Sequence, residues 1–315
     1  MLEYPYNRRD RIISLDPLSQ VFSLLHIRTA RCTRFEAGGK WAYHFPAKPA
    51  LKFAAVLRGE CWIDFADGAR HRLAAGDTFL LANAPGYVLA NDDSVSPEDG
   101  IALFDWDHSD VASHNGADTA ILAGSFAFDM SDARLLLDSL PMFVLIPASS
   151  SSSTVLRETL EILDAEIRST RIGASLVTSR LADILLVQAL RSYLDDNGSD
   201  SIGWLGALTD PGIGKAINLM HEDVAHPWTV DELAQAVAIS RSGFSRRFKS
   251  LVGLAPIDYL LHWRMRLARN YLRRDETVSS IAARLGYASE SAFGNAFKRI
   301  YGRAPRRYWN EQKDE

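Results

Sequence analysis

Only two cysteines, Cys32 and Cys61, occur in 315 residues. They are too few and too unpatterned for a disulfide framework or a zinc site, and their scarcity fits a reducing compartment. No apolar run approaches the ~18 residues that would cross a bilayer, so no membrane partner is expected. The opening MLEYPYNRRDRIISL sets charges among its first apolar residues and has no signal-peptide core, which points to the cytoplasm. Nucleophile-elbow, Walker and Rossmann signatures are missing too. No catalytic residue and no cofactor is therefore expected.

What remains is the composition of an ordinary globular chain, 47% hydrophobic and 23% charged, long enough for two cores. The net charge of -4 hides an asymmetry: residues 211–315 carry 17 Lys/Arg against 11 Asp/Glu, a net +6, which leaves -10 for residues 1–210. Between 240 and 310 the count is 15 basic to 4 acidic. A polyanionic partner is expected for this end of the chain.

Residues 16–106 read as short β-type runs broken by Gly, Pro and Asp: FSLLHIRTARCTRFEA, KFAAVLRGECWIDF, HRLAAGDTFLLA, YVLAND and IALFDW. That rhythm predicts a β-sandwich or barrel. Helical spacing begins near Ser131 in ARLLLDSL, and Ser149–Ser153 reads as a flexible connector. Two amphipathic segments follow. Leu156, Leu160, Leu163 and Ile167 make one stripe and Leu181, Ile184, Leu185 and Leu190 another, expected to pair two copies of the chain or to pack on each other. DDNGSDSIGW breaks the helices, and everything from Asp210 onward reads as helical. The expected architecture is α+β multidomain: an N-terminal β domain over 1–148, a helical middle region over 149–209 and a C-terminal all-α domain over 210–315.

The last domain contains an internal repeat. Its copies are VDELAQAVAISRSGFSRRFKSLVGLAPIDY from Val230 and VSSIAARLGYASESAFGNAFKRIYGRAPRRY from Val278. With one residue inserted in the second turn, Ser240, Phe244, Phe248, Lys249, Gly253, Pro256 and Tyr259 fall opposite Ser289, Phe293, Phe297, Lys298, Gly302, Pro305 and Tyr308. Each copy reads as a helix, a tight turn and a second helix capped by Ser240 or Ser289. The phenylalanines point inward, so Arg241, Ser242, Ser245 and Arg246 point outward in one copy and Glu290, Ser291, Gly294 and Asn295 in the other. In a helix-turn-helix these positions reach base edges. Between the copies, PIDYLLHWRMRLARNYLRR is apolar on two sides and carries Arg266 and Arg269 on a third. Arg247, Lys249, Lys298 and Arg299 add cations suited to phosphates.

At these residues the segment from about Gly212 to Trp309 resembles the two-unit DNA-binding domain of AraC/XylS-type regulators. The resemblance implies recognition helices in neighbouring major grooves of double-stranded DNA, with RNA polymerase a further partner. One departure is Ala238, opposite Gly286; a left-handed backbone there would strain alanine by about 1 kcal/mol. The β-rich part, through GGKWAYHFPA, KFAAVLRGECWIDF and HRLAAGDTFLLA, resembles the cupin-like sensor domain of some of these regulators. That implies a small-molecule effector, for which Trp41, Tyr43, His44, Phe53, Trp62 and Tyr87 are candidate pocket residues. Catalytic cupins hold a metal with clustered His and Glu. Here His44 has no second His two residues on, Tyr87 stands where another ligand is usual, and His26, His71, His108 and His114 are scattered, so no metal is expected. Cys61 would sense oxidants only if exposed and activated. Two other readings stay open: a cupin metalloenzyme with an accessory DNA-binding domain, and a DNA-binding protein without an effector.

Overall fold

The computed structural model describes residues 16–25, 29–128, 130–150, 153–198 and 203–313. Ser151, Ser152 and residues 199–202 of the two expected connectors, together with His26, lie outside them. The chain divides into two units, Met1–Leu25 with Gly203–Glu315, and His26–Ile202.

The first helix, α1 (Pro17–Leu24), corrects the reading of FSLLHIRTARCTRFEA as strand throughout. Local signals explain it. Asp16 accepts from the Ser19 N–H at 3.0 Å, Pro17 suits a first helical turn, and Val21 and Leu24 share one buried face.

The second unit is a sandwich of two sheets, with strands β1 (Thr29–Ala37), β2 (Ala42–Phe45), β3 (Leu51–Arg58), β4 (Glu60–Phe65), β5 (Arg70–Ala74), β6 (Thr78–Leu81), β7 (Tyr87–Ala90), β8 (Glu98–Asp99), β9 (Val111–His114) and β10 (Thr119–Ala127). Helix α2 (Met130–Leu137) precedes β11 (Phe143–Ile146), and α3 (Ser153–Ile167) and α4 (Ala174–Asn197) complete the unit. One sheet has the order β11-β6-β3-β10-β1-β9 and the other β5-β4-β7-β2-β8. Alternation sets the core: in ECWIDF, Cys61, Ile63 and Phe65 are buried and the residues between them are not. Phe35, Trp41, Tyr43, Val56, Phe79 and Leu89 join them between the sheets. IALFDW is not a strand, contrary to expectation. It runs through turns, held where the Trp106 indole donates to the Ile101 carbonyl at 2.9 Å and Arg31 bonds both Asp110 and the Trp106 carbonyl at 2.7 Å.

Helices α3 and α4 pack on each other and on β1. Leu156, Leu160, Leu163, Leu185 and Leu190 are buried by this packing, so most of the two stripes is spent within the chain. Val155, Ile162, Val177 and Ile184 are left exposed instead. Arg34 on β1 is buried and reaches Glu36 at 2.7 Å and Asp164 of α3 at 2.9 Å, fastening helix to sheet.

The first unit is helical: α1 with α5 (Trp204–Thr209), α6 (Pro211–Glu222), α7 (Val230–Ala236), α8 (Arg241–Val252), α9 (Pro256–Arg273), α10 (Val278–Arg284), α11 (Glu290–Tyr301) and α12 (Pro305–Lys313). Helix α1 lies against α6 and α9. Trp204, His221, Tyr259 and Trp263 form one buried group: the Trp204 indole donates to the Tyr259 hydroxyl at 2.9 Å, His221 Nε2 is 2.7 Å from that hydroxyl, and the His221 and Trp263 rings stack at 3.9 Å.

Candidate nucleic-acid interface

The repeat seen in the sequence is a repeat in space. Helices α7 and α8 form one helix-turn-helix and α10 and α11 the other. Ser240 accepts from the Gly243 N–H and Ser289 from the Ala292 N–H, each capping its second helix. Phe244 and Phe248 stand 5.7 Å apart at 58°, and Phe293 and Phe297 stand 5.8 Å apart at 61°. Phe248 meets Tyr259 edge-on at 5.7 Å, and Phe297 meets Tyr308 edge-on at 5.5 Å. All four phenylalanines are fully buried. Gly253 and Gly302 end the second helices in left-handed backbone.

The two turns differ as expected. Ala238 has φ +56° and Gly286 φ +77°. Gly286 has no alternative, since a Cβ there would lie 2.0 Å from the Ala225 carbonyl oxygen. Ala238 carries strain that glycine would relieve, so Ala238→Gly should stabilise this unit by about 1 kcal/mol, read as a raised midpoint in urea unfolding.

Because the phenylalanines fill the inner faces, the outer faces present the expected residues. Arg241, Ser242, Arg246, Glu290, Ser291 and Asn295 are exposed, and Ser245 and Gly294 are half-buried. Arg246 and Asn295 occupy equivalent positions, 49 residues apart like the capping serines. The cations divide by what holds them. Arg241 pairs with Asp231 of α7 at 3.0 Å, and Arg247 pairs with Asp210, the N-cap of α6, at 2.5 Å. Among the described residues Arg246, Lys249, Lys298 and Arg299 form no ion pair, and all four are exposed. Asn295 and Arg299 come together on the wall of a cleft of about 540 Å³ between α9 and α11, with Leu261, Arg264 and Tyr287. Arg266 is half-buried on α9.

Arg269 is a correction. Expected at the phosphate-facing surface, it is 2% exposed, with its guanidinium 5.4 Å from the ring centre of Tyr301 and 5.6 Å from that of Tyr308. Helix α12 folds over that side of α9, so this cation holds the tyrosines of α11 and α12. Arg264 was not singled out from the sequence. It bonds the Val224 and His226 carbonyls, each at 2.8 Å, and so fixes the segment before α7 on α9.

A cupin family model matches residues 16–195 and a helix-turn-helix domain model residues 233–311. A putative AraC-like transcription regulator of Streptomyces antibioticus is 38% identical over 297 residues, covering 93% of this chain and 98% of that protein. The chain belongs to the AraC-like transcription regulators. The HTH-type transcriptional regulator AlkR of Acinetobacter baylyi is 30% identical over 93% of this AraC-like chain and 99% of its own length. Among solved structures, the DNA-binding domain of AdpA in complex with a target DNA is 31% identical, covering 33% of this chain and 95% of that one, with a TM-score of 0.32. By the two family models and its curated relatives, this AraC-like regulator joins a cupin-type β unit to a DNA-binding helix-turn-helix unit.

The β unit redistributes the six candidate pocket residues. Trp41 and Tyr43 are buried in the core, where Tyr43 shares a 2.8 Å hydrogen bond with His114. Trp62 lies under the Arg70 guanidinium at 4.6 Å, and His44 borders a separate shallow cleft with Asp64 and Met142. Phe53 and Tyr87 do border a cavity between the sheets, joined by Phe45, Phe79, Phe104 and Trp106. Phe45 and Tyr87 stack at 5.1 Å. The sequence reading missed the cations there, Arg31, Lys48 and Lys52. Cys61 is buried, and burial pushes its thiol up to about 12, so it does not meet the condition set for an oxidant sensor. Among the described residues no helix is long and apolar enough to cross a membrane. Among the described residues no cluster of three His, Cys, Asp or Glu could hold a metal ion.

Proposed function

We propose that this regulator reads DNA with Arg246 in one major groove and Asn295 in the next, and that its β unit couples binding to a small effector. The duplicated Phe–Phe–Tyr core supports this most directly, because it turns these two side chains outward at equivalent places. Arginine can bond both acceptors of guanine, and asparagine can pair with adenine. Ser242, Ser245, Glu290, Ser291 and Arg241 flank them; Arg241 reaches bases at the cost of its pairing with Asp231. Lys249, Lys298 and Arg299 contact phosphates, joined by the exposed part of Arg247 and by Arg266. The protein acts on chromosomal DNA in the cytoplasm, with RNA polymerase a downstream partner, and catalyses no reaction. The names of its relatives and the absence of enzyme signatures favour this reading.

Arg246→Ala or Asn295→Ala should each weaken binding to the preferred site by about 1–3 kcal/mol and bring it closer to non-specific binding. Lys298→Ala should weaken all sequences alike and lower the salt slope of log affinity by about one unit. Titrations of labelled duplexes at several salt concentrations check both. Equal loss on specific and random DNA for Arg246→Ala would argue against base reading.

The proposed homodimer uses the face of α3 and α4 that the fold leaves uncovered. Val155 and Ile162, and likewise Val177 and Ile184, are spaced two helical turns apart and exposed. Ile162→Arg with Ile184→Arg should turn a micromolar dimer into a monomer in sedimentation while leaving the thermal midpoint nearly unchanged. A dimer that survives both changes places the contact elsewhere.

A further inference from the structure

The cavity between the sheets has the walls and charges for one kind of molecule. Its volume is about 160 Å³, and an apolar cavity of about 150 Å³ is enough for one benzene ring. Phe45, Phe79, Tyr87, Phe104 and Trp106 surround it, and Ile101 and Trp106 are exposed large apolar residues at its border. No carboxylate is among the residues that border it. Three cations are. Arg31 is committed: it pairs with Asp110 at 2.7 Å and stacks over Trp106 at 4.7 Å. Lys48 and Lys52 are not, since among the described residues neither ammonium has an ion pair or side-chain hydrogen bond. Lys52 Nζ lies 5.2 Å from the ring centre of Tyr87 and is half-buried.

Lys52, half-buried at an aromatic cavity without a counter-charge, is unfavourable unless something anionic completes the site, and the exposed Lys48 adds a second positive charge at the same border. Burial, with Lys48 adding to it, already pulls the Lys52 ammonium below its ordinary value. A bound anion would restore it.

We propose that the β unit binds a single-ring aromatic carboxylate, its ring against Phe45, Phe79 and Tyr87 and its carboxylate on Lys52 and Lys48. This rests on the effector reading above and names the ligand class. An aromatic ring matches the stacked walls, and a carboxylate accepts charge-assisted hydrogen bonds from ammonium groups. A neutral ring would leave the lysines uncompensated, and a cation would be repelled by them.

The test is calorimetric titration of the full chain with benzoate, benzamide and benzylammonium, which share a ring and differ in charge. Benzoate should bind about tenfold or more tighter than benzamide, with benzylammonium weakest. Lys52→Met should cancel the advantage of benzoate and leave benzamide unchanged within about twofold, since one charge-assisted bond is removed and the ring contacts remain. Ala123→Phe, which fills the cavity, should abolish binding of all three. Equal affinities that vanish in Ala123→Phe would overturn the carboxylate assignment while keeping the effector pocket. Binding of none of the probes, or binding that Ala123→Phe leaves intact, would overturn the pocket itself. Lys52→Met decides the carboxylate question even if Ala123→Phe does not fold.

Discussion

Arg34→Met should destabilise the β unit by about 3–5 kcal/mol, the cost typical of removing one partner from a buried ion pair. Arg34 is 5% exposed and bonds Glu36 at 2.7 Å and Asp164 at 2.9 Å, so its loss leaves two carboxylates facing an apolar side chain. Arg168, 2.8 Å from Asp164, and Arg58, 3.6 Å from Glu36, remain to relieve part of the cost. Asp164→Leu in the same chain should recover most of the loss, because an apolar pair can replace a buried ion pair at little cost. Urea unfolding of the single and double variants checks both, with near-UV circular dichroism reporting the packing of α3 on β1. Equal stability of Arg34→Met and the parent would show that the pair adds nothing, and no recovery in the double variant would show that Arg34 acts through packing instead.

Acid should weaken the helical unit through His221. Its ring is buried against Trp263, and burial, with a smaller contribution from the Arg266 charge, pulls its pKa from 6.5 down to about 3. Nε2 faces the Tyr259 hydroxyl at 2.7 Å, and that hydroxyl already accepts from Trp204. With the neutral ring accepting from Tyr259, the hydroxyl both donates and accepts, while His221 Nδ1 has no partner among the described residues. Between these pKa values the unfolded chain binds the proton and the folded chain does not, so stability is full above about pH 6.5 and falls as pH falls. The slope is about 1.4 kcal/mol per pH unit, or roughly 2 kcal/mol lost from this residue by pH 5. His221→Gln should be less stable than the parent at pH 7.5 and should lose about 2 kcal/mol less on going to pH 5. Amide hydrogen exchange of α6 and α9 in rising urea follows this unit. An identical loss in parent and variant would mean that His221 is not the acid-sensitive group.

The DNA-binding half was readable from local rules. Capping serines, inward phenylalanines and glycines closing the second helices each act within a few residues, and duplication let each copy check the other. Setting the copies side by side also put Ala238 opposite Gly286, and both backbones are left-handed there. Arg269 was misplaced because its partners, Tyr301 and Tyr308, come from helices that follow it in the chain; periodicity gives a face but not what covers it. Arg34 is the same case, with Asp164 lying 130 residues away. In the β unit, alternation marks which residues are buried but does not separate core from cavity, so Trp41 and Tyr43 ranked with Tyr87. Lys52 escaped notice because a lysine in an apolar strand normally reads as its solvated edge. Helix α1 was legible after all: Asp16 followed by Pro17 is a helix start, overlooked beside the apolar run after it.

The most direct test of two reading helices in one chain is selection of binding sites from random duplexes, with the parent and the Arg246→Ala and Asn295→Ala variants. The parent should select two blocks of fixed sequence whose centres lie about one helical turn, roughly 34 Å, apart, with Arg246→Ala relaxing one block and Asn295→Ala the other. A single selected block, or two blocks that both variants leave unchanged, would contradict it.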